Sequence, residues 1–424
     1  TAWYGWVVCD TVAIVPEHGP VWFAKNSNRE PNEAQFIECD DGSAAQPAPL
    51  GLPAPAPNSR VLLSRPGWMW GAEIGVNEHG VAIGNEAVFT RFPVPKRTGF
   101  TSMDFLRSAL ASCRTANDAL DQLIDFTERF TQGGPMQHRS RAFPYHGSFI
   151  VADARTGWIL ETAANLWAAK RVRGVATISN ELTIGDDFDR VHTGAYELAR
   201  KRGWVKSASA FSFAAAFSHP VISTFTGAKA RRTCTARSLQ GVGDPDARDF
   251  IRTLTDHAGL EPTTGWRGRS PCAHASWFPT RHTQQTTSSL IARLDADGPT
   301  VWATGTSSPC LSVFKPAPFD PGQLPLRPIA DTGFDGTELW WAHERLHRAC
   351  LQDYHARRVT FAEDRERFQD ECLKSGTDAT SMWATHRELV DEWLGRALAV
   401  KPSRGSLPTR AYWAKQSRAS AMPA

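Results

Sequence analysis

Three groups of residues have types and spacings that can do chemistry. His343-Glu344-Arg345-Leu346-His347 fits H-E-x-x-H, which on a helix sets two imidazoles on one face for zinc, with the glutamate as base. Glu366, nineteen positions later, is the candidate third ligand. No proline, and no glycine after Gly336, interrupts 337–373, so the stretch reads as one helix. Nineteen helical residues span about 28 Å, whereas a zinc ligand sits about 2 Å from the metal, so the motif reads as structural. Cys272-x-His274 is half of a metal pattern without a second pair at finger spacing, and reads as a buried thiol beside a hydrogen-bonded imidazole. Cys9 is the third. A lone cysteine is most often a small buried hydrophobe, yet this one opens an apolar segment and precedes Asp10-Thr11. Were the Val8–Cys9 bond cut, Cys9 would hold a thiol nucleophile and a free α-amine together. An α-amine with a pKa of about 7.7–8.0 suits the base that takes the thiol's proton. No G-x-S-x-G elbow and no P-loop accompanies these groups.

The elements that must position Cys9 are short strands. CDTVAIV and VWFAKN, joined by EHGP, read as two strands and a turn. Residues 70–89 read as a second hairpin turning at Asn77-Glu78-His79-Gly80. Strands return at 147–153, 158–163, 167–172 and 174–179, with turns short enough to make them antiparallel neighbours. A last hairpin covers 288–295 and 300–306. Helical patterns fill 101–130, with Thr101, Ser102 and Thr115 able to cap, and then 189–203, 245–258, 337–373 and 380–398. Proline-rich stretches at 47–57 and 316–328 read as loops. Antiparallel strands in runs between blocks of helix indicate α+β layering rather than a doubly wound parallel sheet.

Composition narrows the function. The 424 residues are 41% hydrophobic and 21% charged, which supports a packed core. Lys401, Arg404, Arg410, Lys415 and Arg418 are unbalanced by any acid in the last stretch, and they outweigh the whole chain's net +3. The body is therefore slightly acidic, which argues against a nucleic-acid-binding face, and the tail reads as a solvated terminus. No apolar run is long enough for a transmembrane helix, and the first residues do not form a secretory signal. Eight scattered cysteines without C-x-x-C point to a reducing, cytoplasmic setting.

CDTVAIVPEHGPVWFAKNSNREPNEAQ (9–35) resembles the opening of the secernin and C69 dipeptidase families of N-terminal-nucleophile (Ntn) hydrolases. SRPGWMWGAEIGVNEHGVAIGNEAV (64–88), GWILETAANLWAAKRV (157–172), ISNELTI (178–184), SPCAHAS (270–276), WATGTSSPCLSVFKP (302–316) and ELWWAHERLHR (338–348) continue the likeness in order, over residues 9–400. The resemblance implies an αββα sandwich of two antiparallel sheets with a C-terminal helical extension. It divides the chain into a propeptide (1–8), the sandwich (9–320), the extension packed on it (321–400) and the basic tail (401–424). It further implies autocatalytic loss of the propeptide and thioester hydrolysis of a small amide or short peptide by Cys9, without metal or cofactor. No nucleic-acid or membrane partner is implied, and self-association is left open. By motif, Lys25, Asn28 and Arg29 fall at positions that orient the nucleophile's amine or bind substrate. Asn180 falls at an oxyanion donor, Asn85 at a second donor, and Arg237 at an active-site arginine for which Arg231 and Arg232 compete. Asn28 stands where enzymatic members usually carry Asp, so an aminopeptidase-type grip on a free ammonium is weakened. The alternatives are a non-catalytic, secernin-like interaction protein and a zinc peptidase using the 343–347 motif.

Overall fold

Trp22, Phe23 and Ala24 are consecutive apolar residues on one strand, and all three are buried because both faces of that strand are covered. Phe23 lies in the core between two sheets, whereas Trp22 and Ala24 pack with Phe250 and Leu254 of a helical layer on the other side. The computed structural model describes residues 9–41, 48–49, 51–52, 59–138, 144–262, 269–277, 284–325, 333–402 and 407–423. The expected propeptide and most of the 47–57 loop lie outside the described residues.

In chain order the strands are β1 (Asp10–Val15), β2 (Val21–Arg29), β3 (Gln35–Asp40), β4 (Val61–Pro66), β5 (Ile74–Asn77), β6 (Ala82–Val88), β7 (His146–Ala152), β8 (Gly157–Ala163), β9 (Leu166–Arg171), β10 (Gly174–Ile178), β11 (Arg190–Val191), β12 (Gln285–Asp295), β13 (Gly298–Ala303) and β14 (Lys315–Pro316). The helices are α1 (Ser102–Ser112), α2 (Ala116–Arg129), α3 (Ala195–Lys201), α4 (Phe213–Phe217), α5 (Ile222–Phe225), α6 (Ala228–Leu239), α7 (Ala247–Thr255), α8 (Leu339–Cys350), α9 (Tyr354–Arg358), α10 (Ala362–Cys372), α11 (Ala379–Ala399) and α12 (Leu407–Ala419). One sheet runs β10-β1-β2-β12-β13-β14 and the other β11-β9-β8-β7-β6-β5-β4-β3, with antiparallel pairing between neighbours throughout.

Three apolar layers follow. Ala13, Phe23, Ile74, Ile150 and Leu290 fill the space between the sheets. Leu63, Ile83, Phe149 and Leu160 meet α1 and α2. Val12, Trp22, Ala24 and Ile291 meet α7 and the end of α6. The expected α+β sandwich is thus the observed one. Sequence also located the ends of α1 and α2. Thr101 caps α1 in a box with Asp104, and Thr115 accepts from Asp118 N to cap α2. Among the described residues no helix is long and apolar enough to cross a membrane.

The structure corrects three expectations. First, β9 and β10 are joined by a short connection but are not neighbours, because β10 crosses to the other sheet and pairs with β1. Second, 337–373 is not one helix. It breaks after Cys350 and again after Arg358, and Arg357 donates to Ala349 O (2.8 Å) at the first break. A side chain thereby satisfies a helix-end carbonyl, and no Pro or Gly is needed. Third, the basic tail is not merely solvated. α12 buries Thr409 and Trp413, the Arg348 guanidinium lies 5.1 Å from the Trp413 ring, and Asn32 donates to Gln416 O (2.9 Å). Leu346, Trp383 and Trp393 belong to the same core as Phe23, so the extension is built into the sandwich.

Candidate active site

Cys9 immediately precedes β1, and its neighbours alternate between the two faces of that strand. Asp10 turns outward to α6, and Thr11 turns inward. Thr11 lies opposite Lys25 on β2, and both side chains reach one oxygen of Glu86, which β6 sends across from the other sheet. Lys25 Nζ stands 2.9 Å and Thr11 Oγ1 2.5 Å from Glu86 Oε1. This approach requires Gly84, since a Cβ there would lie 2.9 Å from Lys25 Cδ and from Phe23 Cζ. Lys25 and Glu86 are wholly buried. Burial opposes the Lys25 charge, but the Cys9 sulfur, Glu86 and Glu73 hold its pKa above the usual lysine value. Burial lifts the Glu86 carboxyl to about 8 against the pull of Lys25.

The Cys9 thiol is also buried. The Asn28 N–H donates to its sulfur at 3.2 Å, and the sulfur is 3.6 Å from Asn28 O. Burial pushes the thiol pKa far up, with Lys25 opposing, so the thiol is protonated at neutral pH. The Cys9 N–H donates to Asn180 Oδ1 (2.8 Å), and Arg231 Nη2 donates to the same oxygen (2.7 Å), while Asn180 Nδ2 donates to Ala87 O (3.0 Å). With donors on one side of this carboxamide and a carbonyl on the other, its orientation is determined by its partners. Arg231 is itself held. It spans both Asp10 oxygens at 3.1 and 3.0 Å, and reaches Ser179 Oγ (2.8 Å) and Thr226 O (2.8 Å). Burial raises Asp10 to about 6, opposed chiefly by Arg231.

Of the site residues expected from sequence, Cys9, Lys25, Asn28 and Asn180 are brought together. Both polar atoms of the Asn28 carboxamide are buried and have no partner among the described residues. Arg29 is buried one turn of the pleat away and is spent on Glu33, Glu73 and Met136 O (2.7 Å). Two expectations fail. Asn85 lies on the face of β6 opposite to Gly84 and Glu86, and its Nδ2 meets Met103 Sδ (3.2 Å) of α1, away from the inter-sheet layer. Arg237 is exposed and lines a surface cleft with Lys229 and Arg269, whereas Arg231 is the arginine at the site. Glu86, Asp10 and Ser179 join the cluster without being expected from sequence, although Glu86 sits in the G-N-E string and Ser179 in the S-N-E string.

Beside Asn180 lies a methionine-rich apolar cluster of Met69, Ala87, Phe89, Met103, Met136 and Tyr145, with half-buried Trp68 packed on it. Its tie to the site is direct, because Ala87 O accepts from Asn180 and Met69 Sδ lies 3.7 Å from Arg29 Nη2. The 343–347 motif is elsewhere. Its histidines are buried, and Glu366 is half-exposed on a different helix, paired with Arg248 (2.8 Å). No family model matches the sequence. Solved structures to which the chain is similar include the following three. A single-residue variant of conjugated bile acid hydrolase from Clostridium perfringens matches at 12% identity and TM-score 0.38, over 70% of this chain and 89% of that one. A Caenorhabditis elegans N-acylethanolamine-hydrolyzing acid amidase ortholog matches at 10% identity and TM-score 0.35, over 67% of this chain and 92% of its own. Penicillin V acylase from Agrobacterium tumefaciens matches at 12% identity and TM-score 0.39, over 70% and 82%.

Proposed function

We propose that the mature chain begins at Cys9 and is an Ntn-type cysteine amidohydrolase acting on a small amide with an apolar acyl part, acylase-like rather than dipeptidase-like. One observation carries the reading. The Cys9 backbone nitrogen and thiol are gripped by Asn180 and Asn28, and Arg231 and Ala87 fix the orientation of the Asn180 carboxamide. In maturation the Cys9 sulfur attacks the Val8 carbonyl, the acyl group moves from nitrogen to sulfur and so frees the α-amine, and water then hydrolyses the thioester to release residues 1–8. In turnover that amine takes the thiol proton and the sulfur attacks the substrate carbonyl. The second N–H of Asn180 Nδ2 and a backbone N–H hold the developing oxyanion, and such a donor is typically worth about 2.7–4 kcal/mol. The ammonium returns its proton to the leaving nitrogen, leaving a thioester, which a water deprotonated by the α-amine then hydrolyses. Lys25 keeps positive charge beside the thiolate, and the unpartnered Asn28 carboxamide is a ready acceptor for the new amine.

The choice of acyl group rests on the methionine-rich cluster, whose soft side chains adapt to apolar shapes, and on Asn28, which has no charge for a substrate ammonium. Intact mass combined with an amide panel tests the reading. The expected result is a chain starting at Cys9 that cleaves N-acyl amides, and a Cys9→Ala chain that keeps residues 1–8 and is inert, while Cys39→Ala stays within a few fold. Full turnover by a preparation with residues 1–8 wholly attached would sink it. An intact N-terminus without turnover would favour the non-catalytic alternative.

A further inference from the structure

The chemistry at Cys9 leaves a second cluster unused. His257 follows α7, Cys272 and His274 lie in the segment that runs along the end of β12, and Cys310 follows β13. His274 Nε2 is 3.1 Å from His257 Nε2 and 3.5 Å from each of the Cys272 and Cys310 sulfurs. All four atoms lie within 4.8 Å of one another. A tetrahedral zinc, with Zn–S of about 2.3 Å and Zn–N of about 2.0–2.1 Å, sets N and N about 3.3 Å apart and N and S about 3.6 Å apart. The three edges that meet at His274 Nε2 match those of such a tetrahedron, and the other three fall within 4.8 Å. A hydrogen-bonded cluster alone would have to explain why two thiols and an imidazole converge on one ring nitrogen.

The surroundings are also those of a metal ligand. His274 Nδ1 is 3.0 Å from His347 Nε2, and His347 Nδ1 is 3.1 Å from Glu344 Oε2. Glu344 is fixed in turn by Arg348 Nε (2.9 Å), Gln285 Nε2 (2.9 Å) and Ser307 Oγ (2.6 Å). An imidazole whose far nitrogen is tied through a second imidazole to a buried carboxylate presents Nε2 to a metal in one tautomer and orientation. The 343–347 motif thus finds a role as support for a site rather than as its ligands.

We propose that His257, Cys272, His274 and Cys310 form a structural Zn²⁺ site. Four protein ligands, three of them buried, leave no open position for catalysis. The metal would tie three chain segments to the end of the sheet that carries Asn28. Thr286 on β12 pairs with Asn28, and exchanges hydrogen bonds with Ala273 (3.0 Å each way), while Ser308 N donates to Thr286 O (2.9 Å). Asn26 on β2 donates to Pro271 O (3.0 Å) and Leu254 O (2.8 Å). The proposal does not depend on the chemistry assigned to Cys9.

Metal analysis of the full chain, expressed with added zinc and then desalted, tests it. About one zinc per chain is expected, unchanged in Cys9→Ala and reduced to about a tenth or less in Cys310→Ser. Co²⁺ exchanged into the parent chain should give the visible absorption and thiolate charge-transfer bands of a tetrahedral site. Should Cys310→Ser not fold, His257→Gln alters the half-buried ligand and ought to weaken retention against a competing chelator at least tenfold. His347→Gln, a positioning change, is expected to weaken it about 10–100-fold with all four ligands in place. Less than about 0.1 zinc per chain without cobalt–thiolate absorption would overturn the proposal. So would a Cys272–Cys310 disulfide found by non-reducing mass spectrometry in the protein as purified.

Discussion

Replacing Arg231 with Met removes the cation that faces Asp10 and the donor that holds Asn180, and the two losses can be separated by pH. Asp10 is raised from 3.8 to about 6, so the folded chain keeps a proton that the unfolded chain releases. The stability from this group is full below pH 3.8 and is lost as pH rises through 6. Without Arg231 the carboxyl climbs further, but its penalty is capped, because it can always take a proton. At pH 7.5 the cap relative to the parent is about 2 kcal/mol, from 1.36 kcal/mol for each pH unit above 6. At pH 5.5 the parent's Asp10 is already mostly protonated, and the same loss falls to a few tenths of a kcal/mol. The hydrogen bonds to Thr226 O, Ser179 and Asn180 cost about 1 kcal/mol each at both pH values and cancel in the comparison. Urea unfolding in a Cys9→Ala background, which keeps the chain uniform, measures this. Arg231→Met should lose about 2 kcal/mol more at pH 7.5 than at pH 5.5, and that difference should vanish when Asp10→Asn is also present. An equal loss at both pH values, or the same difference in the Asp10→Asn background, would refute the coupling. With Cys9 restored, Arg231→Met should lower kcat more than it changes KM, because the misplaced group acts on the transition state.

Asn180→Ala should cut kcat about 10²–10³-fold with little change in KM, read by steady-state kinetics on an N-acyl amide; an unchanged kcat would place the oxyanion elsewhere. Asn28→Asp should raise kcat/KM for substrates bearing a free α-ammonium by roughly tenfold relative to N-acylated ones, through a charge-assisted bond. A ratio constant across pH would confine position 28 to steadying the Cys9 amine. His146 is buried beside Thr90 Oγ1 (3.0 Å), and burial lowers its pKa from 6.5 to about 4. The unfolded chain therefore takes up a proton that the folded chain refuses, and about 3 kcal/mol of stability is lost as pH falls from 6.5 to 4. His146→Gln should flatten that part of a Tm-against-pH curve, and an unaltered slope would count against a neutral buried ring.

The legible elements were those whose buried residues are apolar. Strands 10–15 and 21–29 and helices α1 and α2 announce themselves through β-branched runs, apolar spacing and Thr caps. Helix α6 does not, and the reason bears on the site. Its buried residues are Ala228, Arg231, Thr235 and Leu239, which have helical spacing but only two apolar members. A count of apolar periodicity passes over such a helix, and without the helix nothing ranks Arg231 above Arg237. With it the ranking follows, since 231, 235 and 239 share a face at steps of four, while 237 falls between them on the exposed side. The 337–373 breaks were hidden because the group that closes α8 is the guanidinium of Arg357, which no helix-stop signal describes.

The site divides along the same line. Residues gathered around Cys9 sit in short strings that carry their own signal, as with Lys25 and Asn28 on one strand and Asn180 in S-N-E. Residues that fix the geometry of those strings come from other layers, and their partners are set only when the sheets close. Glu86 is one residue from the expected Asn85, and the pleat decides between them. The period of two that sends Gly84 and Glu86 toward Lys25 must send Asn85 toward α1. The His257–Cys272–His274–Cys310 cluster is the extreme case. Its outer members are fifty-three residues apart in the sequence, and they converge because α7, the 270–276 segment and the turn after β13 all meet at the same end of β12. Zinc-finger spacing is a signature of ligands supplied by one hairpin and one helix. Where a site is assembled from three separate segments around a sheet end, spacing carries no information, and only the fold brings the ligands together.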